Sequence, residues 1–240
     1  MPISQFFPLL FLTCLLSSCG SMQMGGNRSQ YGDRPGPQNF STVILDAGHG
    51  GRDTGAVANG LQEKAVVTDV VRKLKADLQN QFKVVLIRDS DHFVDLDDRV
   101  RKANRYGDAV LISIHFNHGP RRIAGPETYY WRSDSYSLAK RIQRELSAVT
   151  PYKNGNRGLV RRRLRLTRNP LIPCVLLEGG YLTNSREAQL LKTERYRATL
   201  AKAIGKAIRE QSAAGDAGMG PIPKPIYMPP SKASDRRGSF

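Results

Sequence analysis

The sequence predicts one α/β domain, a mainly parallel twisted sheet with helices on both faces. Three observations predict it. Short apolar runs alternate with longer amphipathic stretches, the pattern of strands joined by crossover helices. The run Ala109-Val110-Leu111-Ile112-Ser113-Ile114 is apolar on both faces, as a strand in a covered parallel sheet is. At 240 residues the chain suits one domain plus tails and buries a core without staples.

The elements follow in order. Thr42-Val43-Ile44-Leu45-Asp46 reads as a short apolar strand. Glu63 to Gln79 reads as a helix, with Val66, Val70, Leu74 and Leu78 on one stripe and Val67 and Val71 beside it. Phe82 to Ile87 is a strand, Leu96 to Tyr106 a helix, and Ala109 to Ile114 the apolar strand already named. Glu127 to Trp131 reads as a further strand and Ser135 to Ala148 as a helix. Cys174 to Leu177 is a central strand, and Arg186 to Arg209 is helical in one or two pieces. The segment 41–212 is therefore the folded domain. Residues 20–40, rich in Gly, Ser, Gln and Pro, read as a flexible tether. Residues 213–240, with Pro221, Pro223, Pro225, Pro229 and Pro230, read as a disordered tail.

The N-terminus indicates export. Phe6 to Leu16 is an apolar run too short to span a bilayer, and small residues follow it. Leu16-Ser17-Ser18-Cys19 is similar to a bacterial lipobox, so residues 1–19 read as a signal peptide with Cys19 as the lipidated residue. The alternative is an ordinary signal peptide, and the absence of Lys and Arg from residues 1–18 departs from both patterns. A lipid anchor implies the periplasmic face of a membrane, and Gly20 carries no inner-membrane retention signal, which favours the outer membrane. With Cys14 and Cys19 in that segment, only Cys174 remains, so no internal disulfide forms. Cys174, in an apolar run, reads as a small buried hydrophobe. The formal charge of +16 implies an anionic partner or a basic, well-solvated surface. Export and the lack of any recognition motif argue against nucleic acid. A monomer is the default expectation.

Ligands of open α/β sheets sit at the carboxyl ends of the strands. The first strand runs into Asp46-Ala47-Gly48-His49-Gly50-Gly51, the strand ending at Ile114 into His115-Phe116-Asn117, and the strand ending at Leu177 into Glu178-Gly179-Gly180. Glu63 opens the helix after the first glycine-rich loop. Each has a plainer reading. His49 suits a turn, Glu63 complements a helix dipole, His115 suits a hydrogen-bonded core histidine, and Glu178 suits an arginine pair. All four at one sheet edge make a metal site the stronger reading, because two His and one Glu form a catalytic zinc set with an open position. No His-Glu-x-x-His motif is present, so the ligands come from separate segments.

The segment Asp46-Ala47-Gly48-His49-Gly50-Gly51-Arg52-Asp53-Thr54-Gly55-Ala56 resembles the opening motif of the zinc-dependent N-acetylmuramoyl-L-alanine amidases of the type-3 amidase family. Glu63-Lys64, Arg88-Asp89-Ser90-Asp91, Leu96-x-x-Arg99-x-x-x-Ala103-Asn104 and Ser113-Ile114-His115-Phe116-Asn117 are similar to its following blocks. Arg157-Gly158 through Leu166-Thr167-Arg168, and Leu177-Glu178-Gly179-Gly180-Tyr181-Leu182-Thr183-Asn184, resemble its last two. The resemblance covers about Thr42 to Glu210. It implies that His49, Glu63 and His115 bind Zn2+, that Glu178 is the catalytic carboxylate, and that peptidoglycan is the substrate. Asp46 and Asn117 are candidates to orient the histidines, and a role for Asp46 in capping the loop is equally open.

Two departures stand out. Gly179 replaces the bulkier apolar residue frequent in the family, which implies a wider floor. Arg161-Arg162-Arg163 is unusually basic. On a strand, Arg161, Arg163 and Arg165 share one face, either as a charged edge or as a strip that grips substrate carboxylates. No long extra segment after the Ser135 to Ala148 helix plugs the site, so an open site is expected. The alternatives to an amidase are a zinc carboxypeptidase-type enzyme using that strip, and a non-catalytic peptidoglycan-binding lipoprotein. The presence of all four site residues argues against the latter.

Overall fold

The computed structural model describes residues 28–152 and 155–233, so the expected signal peptide and Cys19 lie outside the described residues. The elements are β1 (Thr42–Ala47), a hairpin of β2 (Val57–Ala58) and β3 (Leu61–Gln62), α1 (Glu63–Leu78), β4 (Lys83–Leu86), α2 (Leu96–Ala103) and β5 (Ala109–Asn117). There follow β6 (Glu127–Tyr130), α3 (Tyr136–Val149), β7 (Leu159–Arg161), α4 (Arg165–Arg168), β8 (Cys174–Tyr181), α5 (Ser185–Lys192) and α6 (Glu194–Ala214).

Six strands form one sheet in the order β4-β1-β5-β8-β6-β7. β4, β1, β5 and β8 are parallel, while β6 pairs antiparallel to β8 and parallel to β7. The central strands are apolar on both faces because each face packs on helices. Val43, Leu45, Val110, Ile112, Val175 and Leu177 join the larger core with residues of α1, α3 and α6. Ile44, Ala109, Leu111 and Cys174 point the other way, into a smaller core with Val100 and Ala103 of α2 and Leu166 of α4. Cys174 is fully buried, and burial pushes its thiol up to about 12, so it packs as a hydrophobe. Thr193 splits the last helical stretch into α5 and α6, its hydroxyl accepting the Tyr196 amide.

β5 and β8 run beyond their apolar stretches. His115 and Glu178 are therefore strand residues, facing one another in register, rather than residues of the loops that follow. The ladder breaks in a bulge between His115 and Asn117, a device that re-aims side chains at a strand end.

Two compositional expectations are corrected. Residues 215–233 do not behave as a disordered tail where described: they lie back across the domain as a strap. Strap carbonyls accept from a comb of arginines: Arg161 to Lys224, Arg163 to Pro229, Arg165 to Ser231 and Arg168 to Met228. Asp216 accepts from Ser137 and from the Gly36 amide. The described tether is pinned too, since Arg132 donates to Ser29 O and Arg168 to Gln30 O, and Tyr31 meets Tyr227 edge-on. Proline and glycine content signals poor core-forming ability, but carbonyls need only donors, and the half-buried Arg161, Arg163 and Arg165 and the buried Arg168 and Arg132 supply them. The second correction concerns the basic strip. β7 ends at Arg161 and α4 begins at Arg165, so Arg161, Arg163 and Arg165 do not line one strand face. Their guanidiniums donate to strap carbonyls, and Arg165 also pairs with Asp97 of α2.

Ending the chain at Ala214 strips acceptors from buried guanidiniums, a loss of about 2 kcal/mol or more. The truncated protein is expected to melt roughly 4–8 °C below the full chain. Differential scanning calorimetry of the two proteins checks this, and coincident melting would show the strap to be idle.

Candidate metal centre and active-site cleft

Three segments converge at the carboxyl end of the sheet. β1 delivers the loop that carries His49, the β2–β3 hairpin returns the chain so that Glu63 opens α1, and β5 carries His115 beside β1. His49 Nε2 and His115 Nδ1 each lie 2.9 Å from Glu63 Oε1 and 3.2 Å from one another. Glu63 is held from behind by backbone amides: Phe116 N donates to Oε1 and Ala56 N to Oε2. Burial opposes its charge, yet hydrogen bonds from His115 and His49 hold the carboxyl far below the usual range. Burial also disfavours a proton on His49, but Glu63 and Asp53 outweigh it and raise the imidazole pKa.

The donor set fits a divalent metal ion. Two ring nitrogens and a carboxylate oxygen form a triangle with 2.9–3.2 Å edges. Ligands at about 2.0–2.1 Å around a tetrahedral ion stand about 3.3 Å apart, so the donors need move only slightly. One side of the triangle opens into a cleft of about 520 Å³ that Glu178 also lines. Of residues 119–157, only Tyr129 reaches this cleft among the described residues, so no plug enters from that segment.

Local backbone makes the convergence possible. Gly48 is required because the His115 ring occupies the space of any side chain there: a Cβ would lie 2.3 Å from its Cε1. His49 itself has a φ of 60°, a left-handed conformation costly for a residue with a side chain. Two buried arginines hold the loop in that shape. Arg99 donates to the carbonyls of Ala47 and His49, and Arg88 to those of Ala47 and Gly48.

Asp46 does not orient a histidine. Its Oδ1 accepts from Arg99 at 2.6 Å and its Oδ2 from Ser113 at 2.7 Å, so it secures the arginine that caps the loop. Asn117 lines the cleft, but its Oδ1 accepts from the His118 amide. The group behind His49 is Asp53, which the sequence reading left unassigned. Its Oδ2 sits 2.9 Å from His49 Nδ1, off the direction of a good hydrogen bond. The (i, i+4) spacing across a glycine-bearing loop was the available signal. Gly179 does not widen the floor, because the Phe116 ring fills its space: a Cβ there would lie 2.7 Å from Phe116 Cε1.

Glu178 differs from every other carboxylate in the cleft. Its Oε2 is buried with no hydrogen-bond partner. Burial first, then Glu63 and Glu127, raise its pKa well above the ordinary value. Cleft residues that carry no ligand role include Arg162 and Leu164, which point in where Arg163 and Arg165 do not.

A raised folded-state pKa means that ionising Glu178 costs stability. The cost is absent below the unfolded value, near 4.5, and grows as pH rises above it. In chelator-treated protein, Glu178→Gln is therefore expected to raise Tm at pH 7, with the gain vanishing near pH 4. Thermal melts across that range decide it, and an equal or lower Tm for the variant at pH 7 would contradict the reading.

Comparisons with known proteins agree with this geometry. Residues 43–210 match the family model described as N-acetylmuramoyl-L-alanine amidase. The chain is 38% identical over 176 residues to the endolysin of Bacillus phage SPP1, covering 70% of this chain and 65% of that protein. It is 34% identical over 169 residues to the N-acetylmuramoyl-L-alanine amidase LytC of Bacillus subtilis (strain 168), covering 68% of this chain and 34% of that protein. Among solved structures, the catalytic domain of the N-acetylmuramoyl-L-alanine amidase CwlV from Bacillus (Paenibacillus) polymyxa var. colistinus superposes with a TM-score of 0.68 at 34% identity, covering 71% of this chain and 97% of that one.

Proposed function

The chain belongs to the N-acetylmuramoyl-L-alanine amidase family, and we propose that it hydrolyses the amide bond between N-acetylmuramic acid and L-alanine in peptidoglycan with a zinc ion held by His49, Glu63 and His115. The observation that carries the reading is the pairing of that triad with the partnerless Glu178 in one cleft. Zinc bound there supplies a Lewis acid and lowers the pKa of water to about 7.

The protein's own residues do the rest. The two histidine nitrogens and the Glu63 oxygen fix the donor triangle, and Asp53 stands behind His49 to hold its ring. Glu178 takes a proton from the attacking water as its oxygen bonds to the lactyl carbonyl carbon. The C–N bond then breaks, and Glu178 returns the proton to the leaving nitrogen of L-alanine. Glu178 lines the cleft beside the triad, and its desolvation makes it a stronger base than an exposed glutamate. A carboxypeptidase-type reaction loses its sequence support, since Arg163 and Arg165 are turned to the strap.

We place the protein outside the cytoplasm, anchored at Cys19 on the periplasmic face of a membrane, from the apolar run and lipobox-like stretch of residues 6–20. No helix among the described residues is long and apolar enough to cross a membrane.

Glu178→Gln is expected to keep its metal and lose about 10²- to 10⁴-fold in kcat. Mass spectrometry of digested peptidoglycan, with metal content measured alongside, checks it. Stem peptides beginning with L-alanine identify the amidase, and peptides shortened at their C-termini would refute it. Labelled palmitate is expected to enter the wild-type chain in bacterial cells and not Cys19→Ser. Equal labelling of the two, or none, would remove the anchor.

A further inference from the structure

Away from the catalytic cleft lies a second one of about 560 Å³, rimmed by Arg121, Arg122, Arg157 and Arg186 and, among the described residues, free of any lining carboxylate. Its shape is fixed by its own contacts. Asn184 caps α5, accepting from the amides of Arg186 and Glu187, and donates to Arg121 O at 2.9 Å. One side chain thus sets the loop that carries Arg121 against the helix that carries Arg186. Glu187, on the same helix, turns inward and accepts from the amides of Gly125 and Tyr181, so it does not neutralise the rim. Arg157 reaches Glu127 only at 4.0 Å and otherwise lies over the Tyr181 ring.

A shallow depression lies between the two clefts and shares a lining residue with each. His118 lines both the catalytic cleft and a depression formed with Val57, Ala58 and Pro120, and Arg121 lines both that depression and the arginine cleft. Three depressions thus neighbour one another from the triad to the four guanidiniums. Like charges gathered with only one distant carboxylate raise one another's energy and focus an attractive potential on an anion. Of the two halves of the substrate, the peptide is the one that bears carboxylates, and guanidinium matches a carboxylate with paired hydrogen bonds.

We propose that the arginine cleft is a carboxylate-binding subsite for the stem peptide, reached from the catalytic cleft past His118 and Arg121. The proposal rests on the amidase reading for the identity of the peptide. All four arginines are exposed, so replacing them leaves the core intact.

The test compares wild type with Arg121→Gln/Arg186→Gln on two walls, one with free stem-peptide carboxylates and one with them converted to amides. Fluorescence titration with the released L-alanine-terminated tetrapeptide, free or amidated, runs in parallel. The expected result is a KM about tenfold higher for the variant on the free-carboxylate wall with kcat little changed, and no difference on the amidated wall. Peptide affinity should fall about as much and weaken with salt. Equal KM and equal peptide binding for the two proteins would overturn the subsite and leave the amidase reading standing. Wild-type cleavage of neither wall would overturn the amidase reading, and the peptide titration would then decide the subsite alone. Variant binding lost to a phosphate-rich wall polymer, with peptide binding unchanged, would also overturn it.

Discussion

The ion pair between Asp46 and Arg99 underlies the active-site cleft. Both side chains are almost completely buried, and the contact is 2.6 Å. A buried pair seldom adds much net stability, because desolvating two charges offsets their attraction. Its value here is geometric. Nη1 of Arg99 donates to Asp46 and to the carbonyl of Ala47, Nη2 to that of His49 and Nε to that of Val94, while Arg88 donates to Ala47 and Gly48. That cage permits a non-glycine residue to remain at a left-handed φ, which aims His49 at Glu63 and His115. The pair also spans the sheet and α2, so the position of the loop is tied to the core rather than to its own flexible backbone.

The same chemistry explains the fate of the positive charge. The formal charge of +16 suggests an intensely basic surface. Yet Arg88, Arg99, Arg132, Arg141 and Arg168 are each no more than 3% exposed and are spent on interior carbonyls and carboxylates. Arginine serves this role because its planar fork satisfies several acceptors from one position and keeps its charge when buried. Two such clusters, around Arg132 and Arg168, bind the segments that flank the domain, so low-hydrophobicity chain is ordered by donors from the domain instead of by a core of its own. Among the exposed arginines, Arg121, Arg122, Arg157 and Arg186 line one cleft with no lining carboxylate among the described residues.

The fold was legible because its signals are local. Alternating apolar runs and helical stripes report what each segment buries, and β1, α1, β5 and β8 appear where those patterns place them. The arginine strip departs from its pattern for a related reason. Alternation assigns faces only while the backbone stays extended, and it leaves the strand after Arg161. The extension of β5 and β8 past their apolar residues was hidden as well, because a ladder is closed by backbone groups that carry no side-chain signature.

The sequence by itself determined the sheet, the two apolar faces and the four residues His49, Glu63, His115 and Glu178 at its carboxyl edge. Each of these is set by a short pattern and by the rule that parallel strands share a direction. Only the tertiary structure decided which groups support them. Asp46 turned to Arg99, Asn117 to its own loop, Asp53 to His49, and the ring of Phe116 into the space left by Gly179. It also decided that the proline-rich end lies along a comb of arginines. Those choices depend on distances between residues far apart in the chain, and such distances are settled by packing and by the satisfaction of buried polar groups, which no local pattern encodes.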